Sequence, residues 1–297
     1  MNVRIRNPKG VIAFLILAFA IAWTSWEIPI RMGIPATSGV FQLFALPGAF
    51  APAIAAILVR LFGGEGFADA GLRPHLKRWP YYLFALLLPI AVAGVIVLEV
   101  EQFGIGRPDF TMAAAIKAYA GRGFPLHAAG GLGLLIIPQL LVMAIITTPI
   151  LWGEEFGWRG YLQPRLFPGK PILAALAVGP IWAVWHYPVV LRGYDFGDQA
   201  YAGAAVMPVS CTLISFIFAW LVERTGSIWS SSLAHAATNG VGGATTVLWF
   251  SGLNKPFLTS YIGVLGLAPL FAVCVAIFFF GRRSAPTVSP AGLANAI

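Results

Sequence analysis

The chain has 297 residues, of which 59% are hydrophobic and only 10% are charged. Soluble domains carry about 25% charged residues, so this composition excludes an ordinary soluble protein and indicates an integral membrane protein. The net charge of +8 does not indicate nucleic acid as a partner, because the basic residues are scattered over short loops, as membrane topology requires.

Apolar runs long enough to cross a bilayer, which takes roughly 20 residues, recur along the chain. They predict about eight transmembrane helices, over residues 11–26, 40–62, 81–100, 132–161, 171–190, 206–221, 228–250 and 261–280. The predicted fold class is therefore an all-α, polytopic membrane helix bundle. Most of the 19 basic residues fall on one side of these spans, and the positive-inside rule assigns that side and both termini to the cytoplasm. We expect a protein of the cytoplasmic (plasma) membrane of a prokaryote, surrounded by the lipid bilayer.

The longest polar insertion, over residues 101–127, predicts a short surface helix around residues 112–119 on the outside. The fourth span is too long for one straight crossing, because about 30 residues at ~1.5 Å each reach ~45 Å. Thr148 is a typical N-cap and Pro149 a typical first helical residue, which predicts a helix that kinks or restarts near Pro149. The chain after Arg283 is predicted to be disordered.

Glu154, Glu155 and Arg159 interrupt the fourth apolar stretch. Ionisable residues inside a membrane segment are costly, and by default they indicate a functional site. On a helix, Glu155 and Arg159 share a face and favour an ion pair, whereas Glu154 points roughly 100° away. Taken alone, the two glutamates are equally consistent with interfacial charges at a helix end.

Three further polar residues lie in apolar segments: His186, one helical turn after Trp182, and the pair His235 and Asn239, one turn apart. Taken alone, each is more typical of structural hydrogen bonding between helices. Measured from the predicted span ends at ~1.5 Å per residue, Glu154 lies ~10 Å deep, His235 ~12 Å, Asn239 ~18 Å and His186 ~22 Å. Three separate helices thus bring polar groups to one band of depth, which favours a common site.

The chemistry available to these groups is the hydrolysis of an acyl bond. A desolvated carboxylate can act as a general base on water, and a neutral imidazole can share or donate the proton. An Asn amide and a second imidazole can stabilise an oxyanion. Alternatively, Glu154, His186 and His235 are a ligand set for catalytic zinc with an open position for water. Neither Cys211 nor Cys274 has a His or an acid at the spacing of a nucleophile.

The three motifs resemble those of the CPBP intramembrane proteases, also called the Abi or CAAX-protease-2-like family. The family pattern is EExxxR, then FxxxH, then HxxxN, on separate helices. Residues 154–159 fit the first motif and residues 235–239 fit the third. In the second motif Trp182 stands where phenylalanine is usual, with His186 in place. The motif-bearing part covers roughly residues 132–250.

The resemblance implies a helical intramembrane endopeptidase that hydrolyses a peptide bond of a membrane-associated peptide or protein substrate. By that analogy Glu154 activates water with His186, while His235 and Asn239 bind the oxyanion. The residues that support the site would be Glu155, Arg159 and Trp182. The family is often called a metalloprotease, yet a metal-free glutamate mechanism has also been argued, so zinc on Glu154, His186 and His235 stays open beside a cofactor-free site.

Three parts are predicted along the chain. Residues 1–130 hold N-terminal transmembrane helices and the outer loop, residues 131–250 the protease-like catalytic core, and residues 251–297 the last transmembrane helix and a disordered tail. Two other functions stay open: a non-catalytic membrane binding or immunity protein on the same scaffold, and an ion-coupled transporter. Transporters often contain internal repeats, and none is visible in the sequence. Asp195 and Asp198, in an outside loop, are too few to indicate a cation site.

Overall fold

The computed structural model describes residues 6–36, 38–119 and 133–281. Within them the protein is all-helical and contains no β-strand, as the sequence predicted. The α-helices are, in chain order, α1 (Pro8–Arg31), α2 (Gly39–Ala49), α3 (Ala51–Phe62), α4 (Trp79–Gln102), α5 (Ala113–Tyr119), α6 (Ile136–Gly157), α7 (Gln163–Leu166), α8 (Pro171–Val190), α9 (Ala200–Thr225), α10 (Ile228–Ala237), α11 (Ala244–Phe250), α12 (Pro256–Thr259) and α13 (Val264–Phe280). The predicted surface helix is α5, and the predicted disordered tail lies outside the described residues.

Seven helical runs of the described chain are long and apolar enough to cross a membrane: Pro8–Arg31, Gly39–Phe62, Leu76–Gln102, Ile136–Leu166, Pro171–Val190, Gly197–Thr225 and Pro256–Phe280. The remaining predicted span, residues 228–250, is helical throughout, with a π-helical turn over Thr238–Gly243 between α10 and α11. It is not among the seven, because serines, threonines and glycines dilute its apolar residues. Its side chains are mostly buried inside the bundle. The cytoplasmic position of both termini and the three-part division stay predictions.

Among the helices that carry the polar motifs, α6 packs against α10, and α9 packs against both α8 and α10. α10 also contacts α4. Glycine permits the closest of these crossings: a Cβ added at Gly179 of α8 would lie 2.4 Å from the Cα atom of Thr212 on α9. Small residues allow such close approach between helices in membranes.

The fourth span does not restart at Pro149, so the predicted restart is wrong. α6 continues from Ile136 to Gly157 with Pro149 inside it, and Thr148 Oγ1 donates to the carbonyl oxygen of Ala144 (2.8 Å) instead of capping a new helix. Membrane helices tolerate an internal proline because side-chain hydroxyls and neighbouring helices satisfy the freed backbone groups. The helix is irregular after the two glutamates instead, in a π-helical turn over Trp158–Leu162. Such turns occur frequently at functional sites.

A buried arginine of α3 holds this π-helical turn. Arg60 donates to the carbonyl oxygens of Gly160 (2.7 Å) and Gly66 (2.7 Å), and to Asp69 Oδ1 (2.6 Å). Gly160 lies in the middle of the turn, directly after Arg159. Arg60 therefore ties the loop after α3 to the backbone that carries the polar motif.

Candidate active site

An open cavity of about 740 Å³ lies among α2, α6, α8, α9 and the helical run from α10 to α11. Glu154, His186, His235 and Asn239 all line this cavity. α6 supplies Glu154, α8 supplies His186, and the α10 run supplies the other two. Most of the other lining residues are apolar, so a chain bound here would be largely withdrawn from water.

Glu154 is a buried carboxylate at the cavity wall. Trp182 Nε1, one turn before His186 on α8, donates a hydrogen bond to Glu154 Oε2 (2.8 Å). The second oxygen, Oε1, accepts no hydrogen bond from the described residues. One oxygen is thus fixed by the protein, and the other is available to a molecule in the cavity.

Glu155 faces away from Glu154 into a buried polar cluster, and the predicted ion pair with Arg159 is present. Arg159 Nη1 lies 2.8 Å from Glu155 Oε1, and Arg159 Nη2 donates to Ser215 Oγ (2.9 Å). His235 Nδ1 donates to the same Glu155 oxygen (3.0 Å). The guanidinium also lies 4.8 Å from the ring centre of Trp182, within cation–π range. Glu155 therefore links the arginine of α6 to the histidine of α10.

The partners of the two histidines define their tautomers. His235 Nδ1 faces a carboxylate, and His186 Nδ1 faces the carbonyl oxygen of Trp182 (2.9 Å), and both of these oxygens only accept. Each Nδ1 therefore carries the proton, and each neutral ring keeps an accepting Nε2. His235 can donate from Nε2 only when it is doubly protonated, with Glu155 as its counter-ion. Asn239 is exposed in the cavity and can donate from its amide without any change of charge.

The predicted zinc ligand set does not fit this geometry. Among the residues that the structure describes, no three His, Cys, Asp or Glu side chains are grouped so that they could hold a metal ion. Glu154, His186 and His235 line the same cavity but do not form such a group. Hydrogen bonds with Trp182 and Glu155 orient them instead.

Two features of the site were not found from the sequence. Trp182 was predicted to support the site, and its ring packs against His186 with centroids 5.7 Å apart, but nothing in the residue spacing predicted its hydrogen bond to Glu154. Asp195 was set aside as part of an outer loop, whereas it lines the same cavity. Both relationships join different helices or loops, and so they depend on the tertiary fold.

Comparison with known protein families gives one match, to a family described as "Type II CAAX prenyl endopeptidase Rce1-like", over residues 134–241. This segment contains all three polar motifs and the helices α6 to α10. No curated protein matches the chain. The helices before residue 134 lie outside the matched segment. The match agrees with the resemblance that the motifs indicated: residues 134–241 of this protein are similar to the Rce1-like, CAAX-protease family.

Proposed function

We propose that this protein is an intramembrane endopeptidase that hydrolyses a peptide bond of a membrane-associated peptide or protein substrate. The family match supports a CAAX-type endopeptidase at the level of the family, and the seven apolar helices support a membrane setting. The observation that carries the proposal is the carboxylate of Glu154, held by Trp182 and facing a cavity shared with His186, His235 and Asn239.

The nucleophile in this mechanism is water. Glu154 accepts a proton from a water molecule in the cavity while the water oxygen bonds to the carbonyl carbon of the substrate. His186 presents an accepting Nε2 to the cavity and can orient the same water. The electrons of the carbonyl double bond move to its oxygen, which becomes the oxyanion of a tetrahedral intermediate.

The oxyanion requires donors that are already in place. The amide N–H of Asn239 is one donor, and His235 is the second when its ring carries both protons. Glu155 and Arg159 act as positioning residues, because they orient the His235 ring through Nδ1 without contacting the substrate. In the second step the carbon–nitrogen bond breaks, and protonated Glu154 gives its proton to the leaving amine. The products are a carboxylic acid and an amine, which exchange a proton in water to become a carboxylate and an ammonium group, and Glu154 is again ionised.

Each step of this mechanism uses side chains of the chain itself. The carboxylate stores and returns one proton, and the intermediate's charge is met by hydrogen-bond donors. The ligand geometry supports a glutamate mechanism over a metal-dependent one, since Glu154, His186 and His235 are not grouped as metal ligands in the described part of the chain.

The test compares the peptides present in membranes of cells that produce the wild-type protein, Glu154→Gln or Glu223→Gln. The first substitution keeps the shape of the side chain and removes the base. Glu223 is exposed on α9 and does not line the cavity, so it receives the same chemical change away from the site. We expect one set of cleavage products with the wild type and Glu223→Gln that is missing with Glu154→Gln.

Other outcomes identify the two alternatives. If Glu154→Gln keeps the full biological activity and no product differs, the protein is a non-catalytic binding or immunity factor. If liposomes that contain the purified protein show ion-dependent flux without peptide cleavage, it is a transporter.

A further inference from the structure

Asp195 places a second carboxylate in the cavity that contains Glu154. It lies in the short loop between α8 and α9, and both Asp195 and the preceding Tyr194 line the cavity. The Asp195 side chain is exposed, yet burial among the surrounding protein raises its pKa to about 7. A carboxylate that is exposed to the cavity and surrounded by protein on its other sides accounts for both the exposure and the raised pKa.

The loop that carries Asp195 is a fixed structure. The backbone N–H of Tyr194 donates to the carbonyl oxygen of Val189 (3.1 Å), and the N–H of Gly197 donates to the carbonyl oxygen of Gly193 (3.0 Å). Phe196, directly after Asp195, is completely buried. Asp195 itself has a left-handed backbone with φ of 67°, a conformation that few residues other than glycine, asparagine and aspartate adopt. The direction of the Cα–Cβ bond of Asp195 is thus set by the fold.

This carboxylate has no cationic partner within the described residues, although the chain has a net charge of +8. The nearest arginine in sequence is Arg192, which forms an ion pair with Glu27 Oε1 (2.7 Å) and donates a hydrogen bond to the carbonyl oxygen of Pro188 (2.6 Å). Asp195 also follows the C-terminal end of α8, where the helix dipole adds partial negative charge. Both features favour a cation that the chain does not itself provide.

Tyr194 connects the two carboxylates electrostatically. Burial, followed by the negative charge of Asp195, raises the pKa of the Tyr194 phenol to about 12, and the charge of Glu154 contributes in the same direction. A hydrogen bond with Gln42 opposes this shift. Because Glu154 and Asp195 line the same cavity, a peptide whose scissile bond lies at Glu154 can also contact Asp195.

We propose that Asp195 is a specificity-determining residue that binds a cationic group of the substrate, the ammonium or guanidinium of a basic side chain or a free α-amine. The inference rests on the proposed function, because it assigns a substrate feature to the same cavity. A basic group at a fixed distance from the scissile bond would pair with Asp195 while the apolar walls hold the rest of the peptide. Glu154 and Asp195 then have separate tasks, the first in hydrolysis and the second in the selection of substrate.

The experiment uses the full chain in liposomes and a library of peptides cut from a proteome after acidic residues, so that internal Lys and Arg remain. In one half of the library the α-amines are acetylated, while the lysine and arginine side chains stay unmodified. Comparing the two halves separates a preference for a basic side chain from a preference for a free α-amine. Cleavage sites are identified by mass spectrometry for the wild type, Glu154→Gln, Asp195→Asn, Asp195→Gly and Asp198→Asn. Asn and Gly both accept the left-handed backbone, so these variants are expected to fold. Asp198 lies in the same connection and does not line the cavity, so it is the matched control.

We expect the wild type and Asp198→Asn to cleave peptides with a basic residue at one fixed position, or with a free α-amine at a fixed distance. Both Asp195 variants should still cleave but lose this preference. For a matched pair of peptides with lysine or norleucine at that position, the ratio of kcat/KM should fall at least about tenfold, as expected for the loss of a hydrogen bond between charged groups.

Two results overturn the inference in different ways. If the wild type cleaves without any preference for a cationic group, or if the Asp195 variants keep the preference, Asp195 has no role in specificity and the proposed function stands. If the wild type cleaves no peptide in either half of the library, and Glu154→Gln is indistinguishable from it, the proposed function fails and the inference fails with it.

Discussion

Trp182 Nε1 donates a hydrogen bond to Glu154 Oε2 over 2.8 Å, and so α8 fixes the carboxylate that α6 brings to the cavity. The same tryptophan offers its carbonyl oxygen to His186 Nδ1 (2.9 Å). One residue thus orients both groups that are proposed to act on water. The family pattern has phenylalanine at this position, which has no N–H to donate.

Replacing Trp182 with phenylalanine should weaken catalysis while the fold is retained. The substitution removes the indole N–H, and hydrogen bonds to charged groups contribute about 1.5–3 kcal/mol, so we expect kcat to fall by at least about tenfold. The measurement is the cleavage rate of a substrate peptide in liposomes. Trp220→Phe is the control, because Trp220 Nε1 is buried without a hydrogen-bond partner in the described residues. Equal rates for both variants would contradict this role of the indole.

The buried pair of Glu155 and Arg159 should be essential to the fold. Removing one partner of a buried ion pair leaves an uncompensated charge and costs about 3–5 kcal/mol of unfolding free energy. We expect Arg159→Met to lose about that much in denaturant unfolding in detergent, and Glu155→Gln/Arg159→Met to lose less than the two single variants together. Arg31→Gln removes an exposed partner of Glu27 and should change stability by less than about 1 kcal/mol. A loss from Arg159→Met as small as this control would show that the pair is not structurally important.

Stability should also fall in acid through Glu65, which lies in the loop after α3. Burial opposes its ionisation, but hydrogen bonds from Arg165 and Asn7 and the charges of Arg165 and Arg60 together lower the pKa of Glu65 below its ordinary value of 4.5. A carboxylate with a lowered pKa stabilises the fold above the ordinary value, and this contribution is lost as the pH falls through the lowered value.

The corresponding measurement is the Tm in detergent from pH 7 to pH 3. We expect Glu65→Gln to have a lower Tm than the wild type at pH 7 and a flatter decline in acid, so that the two curves converge. Parallel curves across this range would mean that Glu65 contributes nothing to the acid sensitivity.

Removal of metal ions should leave the activity unchanged. Because Glu154, His186 and His235 are not grouped as metal ligands within the described residues, we expect purified protein to contain much less than one zinc ion per chain. Cleavage should be the same before and after treatment with a strong chelator. One zinc ion per chain, lost together with activity in His186→Ala, would instead establish the metal-dependent mechanism.

Some of these relationships could be predicted from sequence because they are local. The ion pair of Glu155 and Arg159 follows from a four-residue spacing on one helix, and the spans follow from hydropathy. Depth along the predicted helices also placed Glu154 and His186 in one band, at ~10 and ~22 Å, and both line the cavity.

Other relationships depend on packing between distant segments. Pro149 is a helix breaker in water, but in this bundle α6 passes through it, and the π-helical turn that follows has no motif of its own. The position of Asp195 follows from a loop that folds back to the cavity, and the hydrogen bond of Trp182 joins α8 to α6, which are far apart in the sequence. Neither distance along the chain nor residue type encodes such contacts.

The most direct test of the central claim is the rate at which purified protein in liposomes cleaves a peptide identified in the membrane comparison, for the wild type, Glu154→Gln and Glu223→Gln. A general base contributes about 10²–10⁴-fold, so we expect Glu154→Gln to lose that much in kcat while its unfolding midpoint stays close to that of the wild type. Glu223→Gln should keep the full rate. A Glu154→Gln rate within about tenfold of the wild type would lie outside that range and would contradict a glutamate-activated water as the nucleophile.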